Sequence, residues 1–194
     1  MPLGLEKEYI NLSDGELVTL ALKDKDDFFY IVEKYKKKLR LYIKRMINVR
    51  EEEVDDILQN VFIKVYLNLN DFDNKLSFSS WIYRIAHNEI IDNYRRFKAR
   101  PQILDIDIRE SNFKELRFDD DVLDKIIQEE KIEKINQAIS SLNLKYQEVI
   151  ILKFVEERDY KEIADIIKKP LGTVASRLNK AKKELIKILV QTNK

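Results

Sequence analysis

The sequence predicts an all-α protein made of two small helical domains joined by a flexible acidic linker. Its 194 residues include only 3 glycines and 3 prolines, so few positions interrupt a helix. Apolar side chains recur every three or four residues on both sides of a central stretch, which is typical of amphipathic helices. Residues 101–121 have no such period and are rich in acids. The predicted domains are therefore residues 1–100 and 122–194.

The first domain opens with two predicted helices. Ser13 and Glu16 have the spacing of a capping box, which predicts the start of a short helix. Asp24 or Asp26 can cap the helix that follows. Its apolar residues form one 3.6-residue stripe, which predicts a single buried face. They are Phe28, Ile31, Val32, Tyr35, Leu39, Tyr42, Ile43 and Met46.

Two more helices complete the first domain. The earlier one has a wide apolar stripe, which places it deep in a bundle: Val54, Ile57, Leu58, Val61, Phe62, Val65, Tyr66 and Leu69. Residues 70–80 break the period and predict a loop. Ser79 or Ser80 then caps a helix over residues 81–98, which ends before Pro101. Its expected core residues are Trp81, Ile82, Ile85, Ile90 and Tyr94.

The second domain is predicted to contain helices over residues 122–139, 144–156, 159–167 and 171–190. The last two are a short helix and a longer basic one, separated by a break of three residues, which is the outline of a helix-turn-helix. Asp159 can cap the short helix. The residues expected to face inward are Tyr160, Ile163, Ala164, Ile167, Val174, Leu178, Ala181 and Leu185.

Composition excludes several classes of function. The chain has no cysteine, one histidine and three scattered glycines. Zinc ribbons, thiol nucleophiles and glycine-rich phosphate loops therefore cannot form, and we expect no cofactor and no metal. No set of nucleophile, base and orienting residue can be assembled, so an enzyme is the least favoured class. We expect a cytoplasmic protein, because the chain has neither a long apolar run nor a signal-peptide core.

The net charge of +1 conceals a strong segregation of charge along the chain. Residues 34–50 contain eight basic residues and no acidic one, whereas residues 101–130 contain ten acidic and four basic residues. Residues 168–194 contain eight basic residues and one acidic residue. Basic blocks separated by an acidic spacer indicate two nucleic-acid-facing modules and a connection that does not face nucleic acid.

The last predicted helix has the side chains that a major-groove helix needs. Short polar residues occupy its N-terminal end and basic residues follow, off the apolar stripe. Serine, threonine and arginine can reach base edges, while lysine neutralises phosphate. The candidate DNA-contacting residues of this helix and the preceding turn are Lys169, Thr173, Ser176, Arg177, Lys180 and Lys183.

Segments in both domains resemble those of bacterial RNA polymerase sigma factors of the extracytoplasmic-function group, within the sigma-70 family. In the second domain the matching segments are 142–150 (LNLKYQEVI), 159–164 (DYKEIA) and 171–178 (LGTVASRL), which resemble the sigma-four domain. In the first domain they are 54–62 (VDDILQNVF), 78–88 (FSSWIYRIAHN) and 92–96 (DNYRR), which resemble the sigma-two domain. Together they cover roughly residues 25–100 and 122–190.

The resemblance implies a protein that binds core RNA polymerase and directs it to promoters. Matching positions imply polymerase contacts on a polar helix face, at Asp55, Asp56, Gln59 and Asn60. They imply that the loop over residues 69–77 captures a flipped base of the −10 element, a task suited to an aromatic cradle with polar edges. Phe72 could equally fill the core, and His87 is expected at the surface. The −10 candidates are Asp71, Phe72, Asn74, Lys75, Arg84, His87, Asn88, Arg95 and Arg96.

The resemblance also implies a −35 contact by the helix-turn-helix and control by an anti-sigma factor, often membrane-anchored. No small-molecule substrate is implied. The acidic linker is expected to occupy a channel of the polymerase that otherwise holds nucleic acid. Two other classes stay open on the residues alone. A helix-turn-helix regulator that ignores polymerase would prefer palindromic half-sites. A helical adaptor for acidic proteins would show no DNA-dependent activity.

One departure from the family pattern concerns the turn of the helix-turn-helix. Lys168 stands where the family commonly has glycine. If the backbone at Lys168 has a positive φ, the residue carries roughly 1 kcal/mol of strain. The alternative is a turn of different shape.

Overall fold

The computed structural model describes residues 12–73, 76–99 and 133–192. Within these ranges the regular elements are all helical, and none is a β-strand. The helices group into two compact units, one drawn chiefly from the first 101 positions and the other chiefly from the rest. The all-α, two-domain prediction is confirmed. The predicted linker and the predicted helical residues 122–132 lie outside the described residues.

Four α-helices build the first unit. They are α1 (Asp14–Lys23), α2 (Phe28–Met46), α3 (Glu51–Leu67) and α4 (Phe78–Ala99), with 3₁₀ turns at Lys25–Asp27 and Leu69–Asp71. The predicted capping box opens α1. The backbone N–H of Ser13 donates to Glu16 Oε2 at 2.7 Å, and the N–H of Glu16 donates to Ser13 Oγ at 3.3 Å.

The structure corrects the predicted cap of α4. This helix begins at Phe78, three residues earlier than predicted, and Ser77 Oγ accepts from the N–H of Ser80 at 3.3 Å. Ser79 and Ser80 are therefore inside the helix. The prediction was wrong because Phe78 was assigned to the loop, whereas its ring is buried against Tyr35 and Trp81 at centroid distances of 5.7 and 5.5 Å. Asp24 does act as a cap, but of the 3₁₀ turn before α2.

The core of the first unit follows the predicted stripes with local exceptions. Its buried apolar residues on α2 and α3 are Ile31, Tyr35, Leu39, Tyr42, Ile43, Met46, Val54, Ile57, Leu58, Val61 and Val65. Trp81, Ile82 and Ile90 are buried on α4, whereas Ile85 and Tyr94 are partly exposed. Tyr66, predicted to be buried, is exposed because its ring covers Phe28 edge-on at 5.1 Å at the border of the bundle.

The second unit contains α5 (residues 133–140), α6 (Leu144–Ile150), α7 (Tyr160–Ile167) and α8 (Leu171–Thr192). The chain continues from α6 into a π-helical turn at Ile151–Val155, so the predicted helix over residues 144–156 has the right extent but not a uniform geometry. Asp159 and Glu162 form a reciprocal capping box at the start of α7, with N–H to oxygen distances of 2.8 and 2.9 Å.

The predicted helix-turn-helix is present, and its core is largely as predicted. Ile163, Ile166, Ile167, Val174, Leu178 and Ala181 are all buried. Tyr160 was predicted to face inward and is 45% exposed: it is the first residue of α7, and its ring centroid lies 5.6 Å from Lys153 Nζ. Ala164 and Leu185 are only partly buried. None of the described helices is apolar over enough residues to span a bilayer.

Candidate nucleic-acid interface

The predicted polymerase-facing residues lie together on the exposed side of α3. Asp55, Asp56, Gln59 and Asn60 are all exposed, because the five buried residues of this helix occupy the opposite side. Arg40 Nε donates to Asp55 Oδ1 at 3.0 Å, and this hydrogen bond is the main reason that the pKa of Arg40 is raised. Among the described residues, Asp56, Gln59 and Asn60 have no side-chain partner. The α3 polar face therefore offers three uncommitted hydrogen-bonding groups.

A cavity of about 300 Å³ opens in the first unit where α3, the following 3₁₀ turn and α4 meet. Two of its lining residues, Trp81 and Ile85, are apolar, and we call them its floor. Its polar lining residues, which we call its rim, are Lys64, Asn68, Asp71 and Asn88. Apolar side chains with hydrogen-bonding groups beside them have the chemistry to hold one unstacked base.

Two of the predicted −10 residues, Asp71 and Asn88, line this cavity. Trp81 was predicted as a core residue, and its exposure of 7% confirms that prediction while it also forms a cavity wall. Phe72 is partly exposed and packs against Phe78 and Trp81 at centroid distances of 5.2 and 5.3 Å, so it supports the floor of the cavity. Asn74 and Lys75 lie outside the described residues.

The expectation that His87 lies at the surface is wrong. Its side chain is 5% exposed, and its Nδ1 shares a hydrogen bond of 3.1 Å with the hydroxyl group of Tyr42 inside the bundle. The helical pattern misplaced it because α4 is buried along a wider face than its apolar residues mark. A side chain enclosed to this degree does not form part of a DNA-contacting surface, so His87 is removed from the candidates.

Glu89 is a second polar residue that α4 buries, and the sequence analysis did not identify it. Its carboxylate is 4% exposed and accepts from the Lys64 ammonium group through Oε2 and from Asn93 Nδ2 through Oε1 at 3.0 Å. Because Lys64 also lines the cavity, Glu89 holds a cation at the cavity rim. The signal along the chain was the spacing of four residues between Glu89 and Asn93 on α4, whereas Lys64 lies on another helix.

The remaining −10 candidates lie along α4. Arg95 and Arg96 are exposed near its C-terminal end, and Arg84 is partly exposed. Arg95 Nη1 lies 3.7 Å from Asp92 Oδ1, an exposed pair that restrains the arginine only weakly. Together with Asn88, these arginines extend a polar surface from the cavity toward the end of the helix.

The sequence analysis left open whether the backbone has a positive φ in the turn between α7 and α8 of the second unit. Lys168 has φ 51° and ψ 52°, the left-handed conformation, and its N–H donates to the carbonyl of Ala164 as the C-cap of α7. The strain predicted for a non-glycine residue is therefore present at this turn. Glu157, before α7, is the other described residue with positive φ.

The predicted −35 residues form one continuous surface on the turn and on α8. Lys169, Ser176, Lys180 and Lys183 are exposed, and Thr173 is partly exposed. Ser176 Oγ donates to the carbonyl of Thr173 at 3.0 Å. These residues lie opposite the buried stripe of Val174, Leu178 and Ala181, so the turn and α8 present a basic face that could lie against a duplex.

Arg177 differs from its neighbours on α8 because it is tied to the interior. Its Nη1 donates to Oε1 of Glu148, a residue of α6 that is 5% exposed. Burial raises the pKa of Glu148 to about 7, although the charges of Arg177 and Lys169 act in the opposite direction. The sequence analysis placed Arg177 on an open face and did not identify Glu148.

Two protein-family models match the chain, one over each of the two predicted domains. The family model for sigma-70 region 2 matches residues 31–100, and the model for sigma-70 region 4 matches residues 132–185. The first match contains the cavity and the α3 polar face, and the second contains the helix-turn-helix.

Curated relatives match along most of the chain. The ECF RNA polymerase sigma factor SigW of Bacillus subtilis is 36% identical over 173 residues, covering 86% of this chain and 90% of the relative. The ECF RNA polymerase sigma-E factor of Escherichia coli K12 is 31% identical over 182 residues, covering 90% of this chain and 93% of the relative.

Two solved structures share the fold at lower identity. CnrH, in complex with the cytosolic domain of CnrY, matches with a TM-score of 0.66 and 21% identity over 92% of this chain and 97% of its own. The sigma factor RpoE of Bartonella quintana, in complex with the anti-sigma factor NepR, matches with a TM-score of 0.64 and 20% identity over 84% of this chain and 96% of its own.

Proposed function

The chain belongs to the extracytoplasmic-function group of the sigma-70 family, and from this membership we propose that it binds core RNA polymerase and directs it to promoters. The observation that carries the proposal is that one chain presents both a basic helix-turn-helix face and a cavity with the chemistry for a single unpaired base. Its contribution is positioning and strand capture, without a catalytic step of its own.

We assign recognition of the −35 element to the basic face of the turn and α8. Lys169, Lys180 and Lys183 are placed to neutralise phosphates, while Thr173, Ser176 and Arg177 are short or forked donors that suit base edges. Phosphate contacts fix the register of the helix on the duplex, and base contacts provide the sequence preference.

We assign capture of an unpaired −10 base to the cavity of the first unit. Trp81 offers a flat apolar surface, and the amides of Asn68 and Asn88 can donate to and accept from a base edge. Lys64 and Asp71 add one donor group and one acceptor group of opposite charge at the rim. A base held in this way is no longer available to re-pair, which favours the open duplex.

The α3 polar face is the proposed docking surface for core polymerase. Asp56, Gln59 and Asn60 offer uncommitted acceptors and donors, whereas Asp55 is already engaged by Arg40. Acceptors of this kind suit arginine or lysine side chains on the polymerase.

Control by an anti-sigma factor belongs to the same proposal. CnrH is in complex with the cytosolic domain of CnrY, and RpoE is in complex with the anti-sigma factor NepR. We expect a comparable partner for this chain, acting in the cytoplasm on the polymerase-binding and DNA-binding faces. The acidic linker is expected to contribute to polymerase affinity.

Reconstituted transcription with purified core polymerase tests the function. We expect specific starts that require this chain, from promoters with two dissimilar elements. Binding to palindromic half-sites without polymerase would instead favour the helix-turn-helix regulator, and the absence of any DNA-dependent activity would favour the adaptor.

Substitution of Asn88 tests the cavity. Asn88→Ala should lower initiation by about tenfold on duplex promoters and flatten the preference among the four bases at the captured −10 position, since it removes an amide that contacts the base edge. Asn70→Ala is the matched control, because Asn70 is an exposed residue of the neighbouring 3₁₀ turn that does not line the cavity. An unchanged base preference in Asn88→Ala would remove the cavity from the proposal.

Substitution on the α3 polar face tests polymerase docking. Asp56→Ala should weaken binding to core polymerase by about tenfold, which corresponds to about 1.4 kcal/mol. Glu52→Ala is the control, since Glu52 is an equally exposed acid in the first turn of the same helix. Equal losses in the two variants would mean that only the overall charge of α3 matters.

A further inference from the structure

Glu148 is a buried carboxylate with no place in the contacts assigned above. It lies on α6, whose residues pack against α8, and Arg177 of α8 donates to it. The charge of Lys169, from the turn before α8, also acts on it. Glu148 therefore lies under α8. The cations Arg177 and Lys169, both assigned to the −35 contact, attract its carboxylate.

The charge of Glu148 costs stability rather than adding to it. Burial is the largest influence on this group and raises its pKa to about 7, in spite of the two nearby cations. The attraction of Arg177 and Lys169 therefore does not offset the loss of hydration of the carboxylate. Because perturbed carboxylates concentrate at functional sites, the hydrogen bond from Arg177 makes Glu148 a candidate for a role in recognition.

Arg177 is the group that such a carboxylate can organise. Its guanidinium is a planar fork with five N–H donors, and the long stem that carries it has several rotatable bonds. Glu148 engages one end through Nη1, and the side chain as a whole is 22% exposed. Among the described residues, the rest of the fork has no other partner, so it is available to a duplex lying on α8.

We infer that Glu148 is a positioning residue for −35 recognition, which holds the Arg177 fork in one orientation on α8 and releases it when protonated. The inference rests on the proposed function, because it takes Arg177 to contact promoter bases. Fixing a flexible arginine before binding lowers the entropic cost of a directional contact. Protonation leaves a neutral carboxyl group between two cations, so the arginine then loses its ionic anchor.

The inference predicts a change in how strongly the holoenzyme prefers its own −35 element over a scrambled one, and not only a change in its affinity for DNA. The readout is the ratio of dissociation constants of the holoenzyme for two fragments, one that it transcribes and a copy with the −35 element scrambled. In the wild-type chain this ratio should be larger at pH 8 than at pH 6, by about tenfold, because Glu148 is charged above about pH 7 and neutral below it.

The Glu148→Gln variant tests whether Glu148 acts by positioning Arg177 or only by adding one negative charge to the domain. It keeps the shape of the side chain but should have the low ratio at both pH values, with a melting temperature no lower than that of the wild type. Glu184→Gln is the matched control, since Glu184 is an acid of α8 that pairs with Lys187 at the surface at 3.1 Å. The control removes the same charge and should keep the wild-type ratio and its pH dependence.

Arg177→Ala distinguishes failure of the inference from failure of the proposed function. If this variant discriminates as well as the wild type, Arg177 does not read bases, and both the −35 assignment and the inference are overturned. If Arg177→Ala loses discrimination while Glu148→Gln keeps it at both pH values, the inference alone is overturned. Should Arg177→Ala fail to fold, the pH dependence of the wild type against Glu148→Gln still decides the inference.

Discussion

The two units each bury a glutamate beside a cation, and we expect the two charges to have opposite consequences for stability. In the first unit, Glu89 accepts from both Lys64 and Asn93, so each carboxylate oxygen has a donor. In the second unit, Glu148 faces Arg177, and burial raises its pKa to about 7. The two side chains are almost equally enclosed, at 4% and 5% exposure. Burial alone therefore does not decide whether an acidic residue stabilises a fold.

The backbone shows the same contrast. The two described non-glycine residues with positive φ flank the first helix of the helix-turn-helix, with Glu157 three residues before its start and Lys168 directly after its end. The described part of the first unit has no such residue. The second unit thus contains both unfavourable features, a costly carboxylate and a strained turn, in and next to its helix-turn-helix. Functional sites commonly retain such strain where the rest of the structure supports it.

The largest expected effect is a gain of stability in Glu148→Gln. The folded pKa of about 7 lies above the usual 4.5. The folded chain therefore holds an extra proton between these values, and its stability falls as the pH rises toward 7. Above pH 7 the full cost of the charge is present, on the order of 3 kcal/mol. Denaturant unfolding should show Glu148→Gln more stable at pH 8, with the gain shrinking toward pH 5. A loss of stability at pH 8 would contradict the contrast between the units.

Glu89→Gln should have the opposite sign. Both oxygens of Glu89 accept hydrogen bonds, so a glutamine amide group would face one of these donors instead of accepting from it. We expect a loss of about 2 kcal/mol in the free energy of unfolding. Glu53→Gln is a suitable control on α3, because its carboxylate is engaged by Arg50, which is mostly exposed. Equal stability of Glu89→Gln and the wild type would show that the first unit also tolerates loss of its buried charge.

The smallest effect concerns the strained turn. Lys168→Gly should stabilise the chain by roughly 1 kcal/mol, because glycine adopts a φ of 51° without the steric cost of a Cβ atom. Lys168→Ala removes the same charge but keeps Cβ, so it should show no gain. If the two variants melt at the same temperature, the turn is not strained.

Local patterns in the chain predicted most of the helices and the buried stripes. The capping box at Ser13, the helix cap at Asp159, the break around residues 140–143 and the helix-turn-helix outline each depend on a few neighbouring residues. The stripe of Ile31, Leu39 and Ile43 needed only a spacing of three and four residues. Such predictions succeed because hydrogen bonding at helix ends and periodic burial depend on residues within one or two turns of a helix.

The failures occurred where a residue's environment comes from another helix. His87 was expected at the surface, and it is buried because Tyr42 of α2 offers a hydrogen bond to a face of α4 that the apolar pattern did not mark. Tyr66 was expected in the core, yet it lies at the edge of the bundle against Phe28. The start of α4 was misplaced because Phe78 has its packing partners on α2 as well as on its own helix.

By itself, the sequence determined the helical class, the two units, the basic helix-turn-helix face and the membership of the family, because these follow from periodicity, composition and motif order. The tertiary structure alone decided which polar residues meet. It brought Lys64, Asn68, Asp71 and Asn88 around Trp81, and it placed Glu148 under Arg177. Each group joins residues of different helices, and the free energy of a buried charge or a shared cavity depends on neighbours that only folding supplies.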